Sequence, residues 1–247
     1  MTESQLARRV LSLVDLTSLN DSDDDAAVEA LAQLARSAAV KPAAVCIWAR
    51  FIPVALRSLD GSGIPVCAVA NFPDGAAAPV IAAEETAAAV AAGAAEVDVV
   101  FPYRALLAGD ARVGLDLVRA CRQACADRAR LKGILETGQL GDAATIRHAA
   151  QIAVAGGAHF LKTSTGKTQP AATPAAAAVL WDVIAEEAAR AHAIGFKASG
   201  GIRSLDAAAI YLRGFEARFG AATPANFRIG ASGLFKELLR ALPAATE

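Results

Sequence analysis

The sequence has few residues that could form disulfides or a zinc site, and it has no long apolar run. Its 247 residues include four cysteines and three histidines, and their spacings match no zinc-binding pattern. No stretch of roughly 18 apolar residues without a charge occurs, so a membrane-spanning helix is not expected. We therefore expect a cytoplasmic protein without disulfides or structural metal.

An excess of charge of either sign is also missing. The formal net charge is −1, and 55% of the residues are hydrophobic. A protein without a basic surface field is poorly suited to nucleic acid or to an anionic membrane. Small molecules are therefore the expected partners, and the chain is long and apolar enough to bury a large core.

Short apolar segments alternate with alanine-rich helical segments along the whole chain. No Ser-, Pro- or Gly-rich linker divides it, which favours one domain over residues 1–247. The predicted helices lie near residues 24–39, 51–59, 78–92, 112–127, 142–155, 174–193, 204–219 and 233–241. The predicted strands are Leu13–Leu16, Ala44–Trp48, Val66–Asn71, Glu96–Phe101, Leu131–Glu136, His159–Thr163, Gly195–Ser199 and Phe227–Ala231.

Eight strand–helix repeats in about 250 residues predict an α/β fold of the (β/α)8 TIM-barrel type. An open, doubly wound sheet is the structural alternative. The glycine fingerprint G-x-G-x-x-G does not follow an early strand, and neither GxxxxGK[ST] nor HExxH occurs. The usual arguments for a nucleotide-binding protein or a zinc protease therefore do not apply.

Four charged residues interrupt strands that otherwise read as apolar: Asp15, Asp98, Lys162 and Lys197. The chain has 6 Lys and 18 Arg, yet both cations noted in these strands are lysines. A buried lysine, or one beside another cation, can lose its proton and act as an amine nucleophile, whereas arginine stays protonated. The pair therefore indicates Schiff-base chemistry. The structural alternative is a buried salt bridge with Asp98 or Asp15, or a lysine extending to the barrel rim.

Glycine-rich segments follow the last three strands. They are Gly166-Lys167, Gly200-Gly201-Ile202 and Gly230-Ala231-Ser232-Gly233. Such loops expose backbone N–H groups, and barrels often bind phosphate after their last strands. Glycine also serves ordinary turns, so each loop alone is weak evidence, but their order favours a phosphorylated substrate.

Six segments together resemble the deoxyribose-phosphate aldolase family: LVDLTSLN, AAVCIWARF, EVDVVFPYRAL, FLKTSTGK, GFKASGGIR and RIGASGLF. The resemblance spans nearly the whole chain. It implies a class I aldolase on a (β/α)8 barrel that reversibly cleaves 2-deoxy-D-ribose 5-phosphate to acetaldehyde and D-glyceraldehyde 3-phosphate. The reaction belongs to deoxyribonucleotide catabolism, and the resemblance implies no metal or organic cofactor and a possible homodimer.

The resemblance also implies a role for each matching residue. Lys162 of FLKTSTGK would form the imine, and Lys197 of GFKASGG would be its cationic neighbour. Asp98 of EVDVVF would move protons through a water, and Asp15 of VDLT would hold Lys197 or that water. Thr17 would contact a substrate hydroxyl, and the phosphate would bind at Gly166, Lys167, Gly200, Gly201, Ser232 and Gly233.

The chain departs from this family pattern at two sites of functional interest. Gly233 stands where many members have a second serine, so one hydroxyl contact to phosphate is expected to be absent. The tail LPAATE lacks the tyrosine that some members use in proton transfer, so Asp98 and water would carry that step. We expect Glu96 to be structural and Cys46 to be a core residue.

Other functions remain open at the level of sequence. A transaldolase-like or other Schiff-base phosphosugar aldolase would use the same imine. A pyridoxal-phosphate protein would need one such lysine and a phosphate site, and a non-catalytic sugar-phosphate-binding barrel would need the phosphate site alone. Neither of the last two requires a second buried lysine on a neighbouring strand.

Overall fold

The computed structural model describes residues 1–190 and 193–242. Eight parallel strands form a closed barrel in chain order, with β1 paired to both β2 and β8. This closure confirms the (β/α)8 prediction and excludes the open sheet. The strands are β1 (Val14–Thr17), β2 (Ala44–Ile47), β3 (Val66–Ala70), β4 (Glu96–Val100), β5 (Arg130–Ile134), β6 (Phe160–Lys162), β7 (Gly195–Ser199) and β8 (Phe227–Ala231).

Each predicted helical segment overlaps a helix of the structure, and the described residues contain three further helices. Their bounds are α1 (Glu3–Leu11), α2 (Asp25–Ser37), α3 (Ile52–Leu59), α4 (Pro79–Ala91), α5 (Tyr103–Leu107), α6 (Ala111–Cys125), α7 (Thr137–Leu140), α8 (Ala143–Ala155), α9 (Pro174–Ala188), α10 (Leu205–Phe219) and α11 (Gly233–Ala241). A 3₁₀ turn over Ala49–Phe51 precedes α3. The helix predicted near 174–193 ends at Ala188, and residues 191–192 lie outside the described ranges, as does the tail from residue 243 onward.

Three helices, α1, α5 and α7, were not predicted from the sequence. The first begins with a capping box, in which the Thr2 side chain accepts from the backbone N–H of Gln5 and the Gln5 side chain accepts from that of Thr2. Its buried face packs against α10 and α11. Because α1 precedes the first strand, the eightfold strand–helix pattern contained no place for it.

Most of the long helices begin where a side chain satisfies some of their free N–H groups. Asp24, Asp142, Thr173 and Ser204 each accept a hydrogen bond from the first turn of the helix that follows. Across residues 1–190 and 193–242, no helix is long and apolar enough to cross a bilayer.

Successive side chains along each strand point alternately outward, towards the helices, and inward, into the barrel. Val14 and Leu16, for example, belong to the main apolar core that lies between the strands and the surrounding helices. Inside the barrel a separate, small apolar cluster contains Cys46, Cys67 and Val69. Asp15 lies between Val14 and Leu16 in the chain, and its side chain is among the charged groups collected in the barrel interior.

Candidate active site

Seven charged side chains meet inside the barrel, and each residue is at most 3% exposed. They come from β1 and from each of the strands β4 to β8. The set comprises Asp15, Glu96, Asp98, Lys132, Lys162, Lys197 and Arg228.

The carboxylate of Asp98 lies at the centre of this cluster. Its Oδ2 accepts hydrogen bonds from Lys162 Nζ and Lys197 Nζ, each at 2.8 Å. Its Oδ1 accepts from Lys132 Nζ, also at 2.8 Å. The strand register brings Lys162 and Lys197 side by side, because their Cα atoms are direct partners across β6 and β7. The structure thus brings together the lysines and the carboxylate that the sequence singled out.

Asp15 holds Lys197 from the other side. Its Oδ2 lies 2.5 Å from Lys197 Nζ, and its Oδ1 accepts from Arg228 at 2.5 Å. Arg228 also bonds both carboxylate oxygens of Glu96, at 2.6 and 3.1 Å. Glu96 therefore pairs with two basic members of the cluster, Arg228 and Lys132.

Lys132 on β5 is a third buried lysine that the sequence interpretation did not include. Its Nζ lies 2.6 Å from Glu96 Oε2 and 2.8 Å from Asp98 Oδ1. The same signal that marked Lys162, a charge inside an apolar strand, is present in the segment RLKGI. Arg228 in FRIGA carries the same signal and was also missed.

The neighbouring charges fix the ionisation of the two central carboxylates. Burial alone would raise the pKa of Asp98, but Lys132, Lys162 and Lys197 outweigh it and hold that pKa well below its usual range. The pKa of Asp15 is lowered in the same way, against its burial, chiefly by Lys197 and Lys132. Both carboxylates are therefore ionised at neutral pH.

The carboxylates in turn raise the pKa values of two of the lysines. Burial would lower the pKa of Lys197, but Asp15 and Asp98 raise it above the ordinary 10.5. The pKa of Lys132 is likewise raised, against burial, by Asp98 and by other anionic neighbours that include Glu96. Lys132 and Lys197 are therefore ammonium cations at neutral pH.

The cluster contains more bases than acids. Three carboxylates face four basic side chains, so the loss of one proton from a lysine would balance the charges. Lys197 has two carboxylate partners and Lys132 has two within 3 Å, whereas Lys162 bonds Asp98 alone among the described residues. Lys162 is therefore the lysine whose positive charge is least compensated by contacts.

Two cysteines lie against this cluster. Cys67 Sγ donates to Asp98 Oδ1 at 3.1 Å, and burial raises the pKa of the Cys67 thiol well above its usual range. Ligand atoms of Cys46, Cys67 and Asp98 lie within 4.8 Å of one another, so they could approach a single metal ion. Three lysine amino groups already contact Asp98, however, and the positive charge around it opposes a cation at this position.

A cavity of about 620 Å³ opens near Lys197, although Lys162 and Lys197 do not themselves line it. Ser199 and Gly230, which line it, also adjoin Lys197, because a Cβ atom at Gly230 would lie 2.7 Å from Ser199 Oγ and 3.1 Å from Lys197 Cε. The seven residues that the sequence predicted for substrate binding all line this cavity: Thr17, Gly166, Lys167, Gly200, Gly201, Ser232 and Gly233.

The glycine loops supply the cavity with backbone in conformations that expose N–H groups. Gly200 and Gly201 have φ values of +93° and +80°, which residues with a side chain rarely adopt. Ser232 and Gly233 lie at the N-terminal end of α11, where the helix dipole favours an anion. Lys167 Nζ donates to the carbonyl of Leu19 at 2.7 Å, which holds this cation at the cavity wall.

The fold and the site define a TIM-barrel enzyme whose functional side chains lie inside the barrel and at the C-terminal ends of its strands. The model of the DeoC/LacD family aldolases matches residues 9–227. The chain belongs to this family and is an aldolase, a carbon–carbon lyase.

Several solved structures of similar chains agree with this assignment. The apo form of a putative deoxyribose-phosphate aldolase from Toxoplasma gondii ME49 is 26% identical, with a TM-score of 0.87 over 95% of each chain. A putative deoxyribose-phosphate aldolase from Coccidioides immitis is 26% identical, with a TM-score of 0.82 over 95% of this chain and 86% of that one. The tetrameric deoxyribose phosphate aldolase of Aeropyrum pernix is 25% identical, with a TM-score of 0.76 over 97% and 92%.

Proposed function

We propose that this aldolase reversibly cleaves 2-deoxy-D-ribose 5-phosphate to acetaldehyde and D-glyceraldehyde 3-phosphate through an imine on Lys162. The observation that carries the proposal is the position of Lys162, which shares one carboxylate oxygen with Lys197 in a cluster that has one base in excess. The glycine-rich cavity beside it supports a phosphorylated substrate. The similar aldolases of known structure support the choice of sugar.

In the first step, the neutral amine of Lys162 adds to the C1 aldehyde carbon of the open-chain sugar. Loss of the C1 oxygen as water then leaves a protonated imine. Lys197, kept cationic by Asp15 and Asp98, lies beside this amine and bonds the same carboxylate oxygen of Asp98.

In the second step, the bond between C2 and C3 breaks. Its electron pair moves into the imine and forms an enamine, while the C3 hydroxyl loses its proton and becomes the aldehyde of D-glyceraldehyde 3-phosphate. Asp98, acting through a water, takes this proton and later delivers one to C2 of the enamine. Hydrolysis of the resulting imine releases acetaldehyde and restores the amine of Lys162.

The phosphate would bind at the far side of the cavity from the lysines. Gly166, Gly200, Gly201 and Gly233 offer backbone N–H groups there, and Lys167 and Ser232 add a cation and a hydroxyl. Thr17, whose Oγ1 donates to the carbonyl of Asp15 at 2.8 Å, lies at the cavity wall, where it can meet a sugar hydroxyl.

A panel of phosphosugars tests the proposal. We expect cleavage of 2-deoxy-D-ribose 5-phosphate with equal amounts of the two named aldehydes, and no comparable cleavage of fructose 6-phosphate or fructose 1,6-bisphosphate. The Lys162→Arg variant, which keeps the charge but cannot form the imine, serves as the inactive control. Faster cleavage of a ketose phosphate would instead identify a different Schiff-base aldolase. A visible absorbance band in the purified protein would point to pyridoxal phosphate.

The wider setting of this function is also a proposal. We infer that residues 1–247 act as one catalytic domain in the cytoplasm and that the active form is a homodimer. The Aeropyrum pernix relative has a tetrameric structure, so assembly differs from that relative if the proposal holds. Light scattering coupled to size-exclusion chromatography distinguishes a dimer from a monomer or a tetramer.

A further inference from the structure

Glu136, two residues after the end of β5, is a buried acidic residue to which the proposed reaction gives no role. It is 0% exposed, and no basic side chain forms an ion pair with it within residues 1–190 and 193–242. A buried carboxylate without a cation is costly unless its oxygens accept several hydrogen bonds. Its partners therefore indicate what the residue does.

All the hydrogen-bond donors to the Glu136 carboxylate within the described residues come from Thr165 in the segment KTSTGK. The Thr165 hydroxyl donates to Oε2 at 2.5 Å, and the Thr165 backbone N–H lies 3.3 and 3.4 Å from the two oxygens. The same hydroxyl oxygen accepts from the backbone N–H of Lys167 at 3.0 Å. A continuous chain of hydrogen bonds thus runs from Glu136 through Thr165 to Lys167.

The backbone of Glu136 is shaped for this contact. Its φ and ψ are 57° and 54°, in the left-handed region that residues other than glycine seldom adopt. The next residue, Thr137, donates its N–H to the carbonyl of Thr163 at 2.9 Å. Together with the bonds of Thr165 to Glu136, this contact joins the segment after β5 to the segment after β6. Backbone strain of this kind persists where the surrounding contacts determine it, and it often marks a functional site.

We propose that Glu136 is a positioning residue for the phosphate subsite, acting through Thr165 on Gly166 and Lys167. This proposal rests on the proposed function for the identity of the ligand, a phosphate monoester. Thr165, Gly166 and Lys167 all line the cavity, whereas Glu136 does not. Glu136 therefore sets the position of the loop without touching the ligand.

The first test measures the affinity of inorganic phosphate by isothermal titration calorimetry, which requires no catalysis. We expect Glu136→Gln to weaken phosphate binding at least tenfold, because the amide offers only one acceptor oxygen to Thr165 and loses the negative charge that strengthens these bonds. Thr165→Val should weaken it to a similar extent. The double variant should be no weaker than the worse single variant, since both changes break one chain of contacts. Phosphate affinity within twofold of wild type in Glu136→Gln would overturn the proposal, and so would fully additive losses.

A second measurement separates positioning from a general loss of structure. Acetaldehyde carries no phosphate, so its trapping on Lys162 by borohydride should remain within twofold of wild type in Glu136→Gln. Asp142→Ala is the matched control, because it removes the N-cap hydrogen bonds of α8 and should lower stability while leaving phosphate affinity unchanged. Parallel losses of trapping and phosphate binding in Glu136→Gln would overturn the positioning role. If wild type itself trapped no acetaldehyde, the imine mechanism would fail, yet the phosphate titrations would still test Glu136.

Discussion

Lys162 and Lys197 are direct register partners on β6 and β7, and both donate to the same oxygen of Asp98 at 2.8 Å. Lys197 Nζ also lies 2.5 Å from a carboxylate oxygen of Asp15, whereas Asp98 is the one carboxylate paired with Lys162 among the described residues. Two amines of identical chemistry are thereby made unequal. The more compensated one, Lys197, stays cationic, and the less compensated one, Lys162, is the proposed nucleophile.

The Lys197→Leu variant should move the pH profile of kcat/KM to higher pH. Without the neighbouring cation, the amine that must be neutral for attack retains its proton more readily. Lys197→Arg, which keeps a positive charge, should shift the profile much less. Equal profiles for wild type and Lys197→Leu across about pH 6 to 10 would rule out the electrostatic role of Lys197.

Replacing Lys132 with methionine should destabilise the fold by about 1.5–3 kcal/mol, the usual contribution of a hydrogen bond to a charged group, because other cations still face Glu96 and Asp98. The variant leaves Glu96 and Asp98 each without one cation at less than 3 Å. Lys41→Met is the matched control, because Lys41 Nζ contacts only the carbonyl of Ser62 at an exposed site among the described residues. Urea unfolding of both variants measures the difference, and equal free energies of unfolding would show that Lys132 contributes no compensation.

The acid stability of the protein should depend on Asp15. Its pKa in the folded state lies below the ordinary 3.8, so its contribution to stability is present above pH 3.8 and is lost as the pH falls below that value. Each unit of lowering contributes about 1.4 kcal/mol. Asp15→Asn should therefore be less stable than wild type at pH 7. It should also lose less further stability between about pH 5 and 3, a window that spans the ordinary pKa of 3.8.

The control for this pH series is Asp21→Asn, because the Asp21 side chain is almost fully exposed. It should keep the wild-type slope of unfolding free energy against pH. If Asp15→Asn retained the same slope as Asp21→Asn, the ion pairs of Asp15 would not be the source of the acid sensitivity.

Gly233→Ser should lower KM for the phosphorylated sugar by up to about fivefold, which corresponds to roughly 1 kcal/mol for one added hydrogen bond. A Cβ atom at this position meets no atom within 4 Å, so the serine side chain fits without displacement. The kcat/KM for unphosphorylated 2-deoxyribose should stay unchanged, because that substrate has no group to accept the bond. Equal improvement for both sugars would place the effect outside the phosphate subsite.

Much of the fold could be predicted because local sequence patterns indicate most of its strands and helices. The β7 and β8 bounds are the predicted ones, and the other predicted strands overlap the observed strands. Thr173 and Ser204 cap helices that begin at Pro174 and Leu205, at or next to the predicted starts. Helix α1 was missed because the eightfold pattern began with the first strand, although the capping box of Thr2 and Gln5 is a local signal.

The site could be predicted only in part, because its contacts join residues far apart in the chain. Arg228 and Asp15, for example, are 213 positions apart. Lys132 and Arg228 carried the right signal, a charge inside an apolar strand, but the choice between a catalytic and a compensating role depends on where each side chain ends. Glu136 also ends a predicted strand, but its left-handed backbone and its contacts with Thr165, which indicate its role, appear only in three dimensions.

Borohydride reduction in the presence of acetaldehyde tests the central claim most directly. The reduced imine adds a stable ethyl group to the reacting amine, and mass spectrometry of peptides locates it. We expect the modification on Lys162, with Lys132 and Lys197 unmodified in the same digest, and no modification of the barrel lysines in Lys162→Arg. An unmodified Lys162 peptide, or a modification that falls on Lys197 in the wild-type protein, would contradict the mechanism.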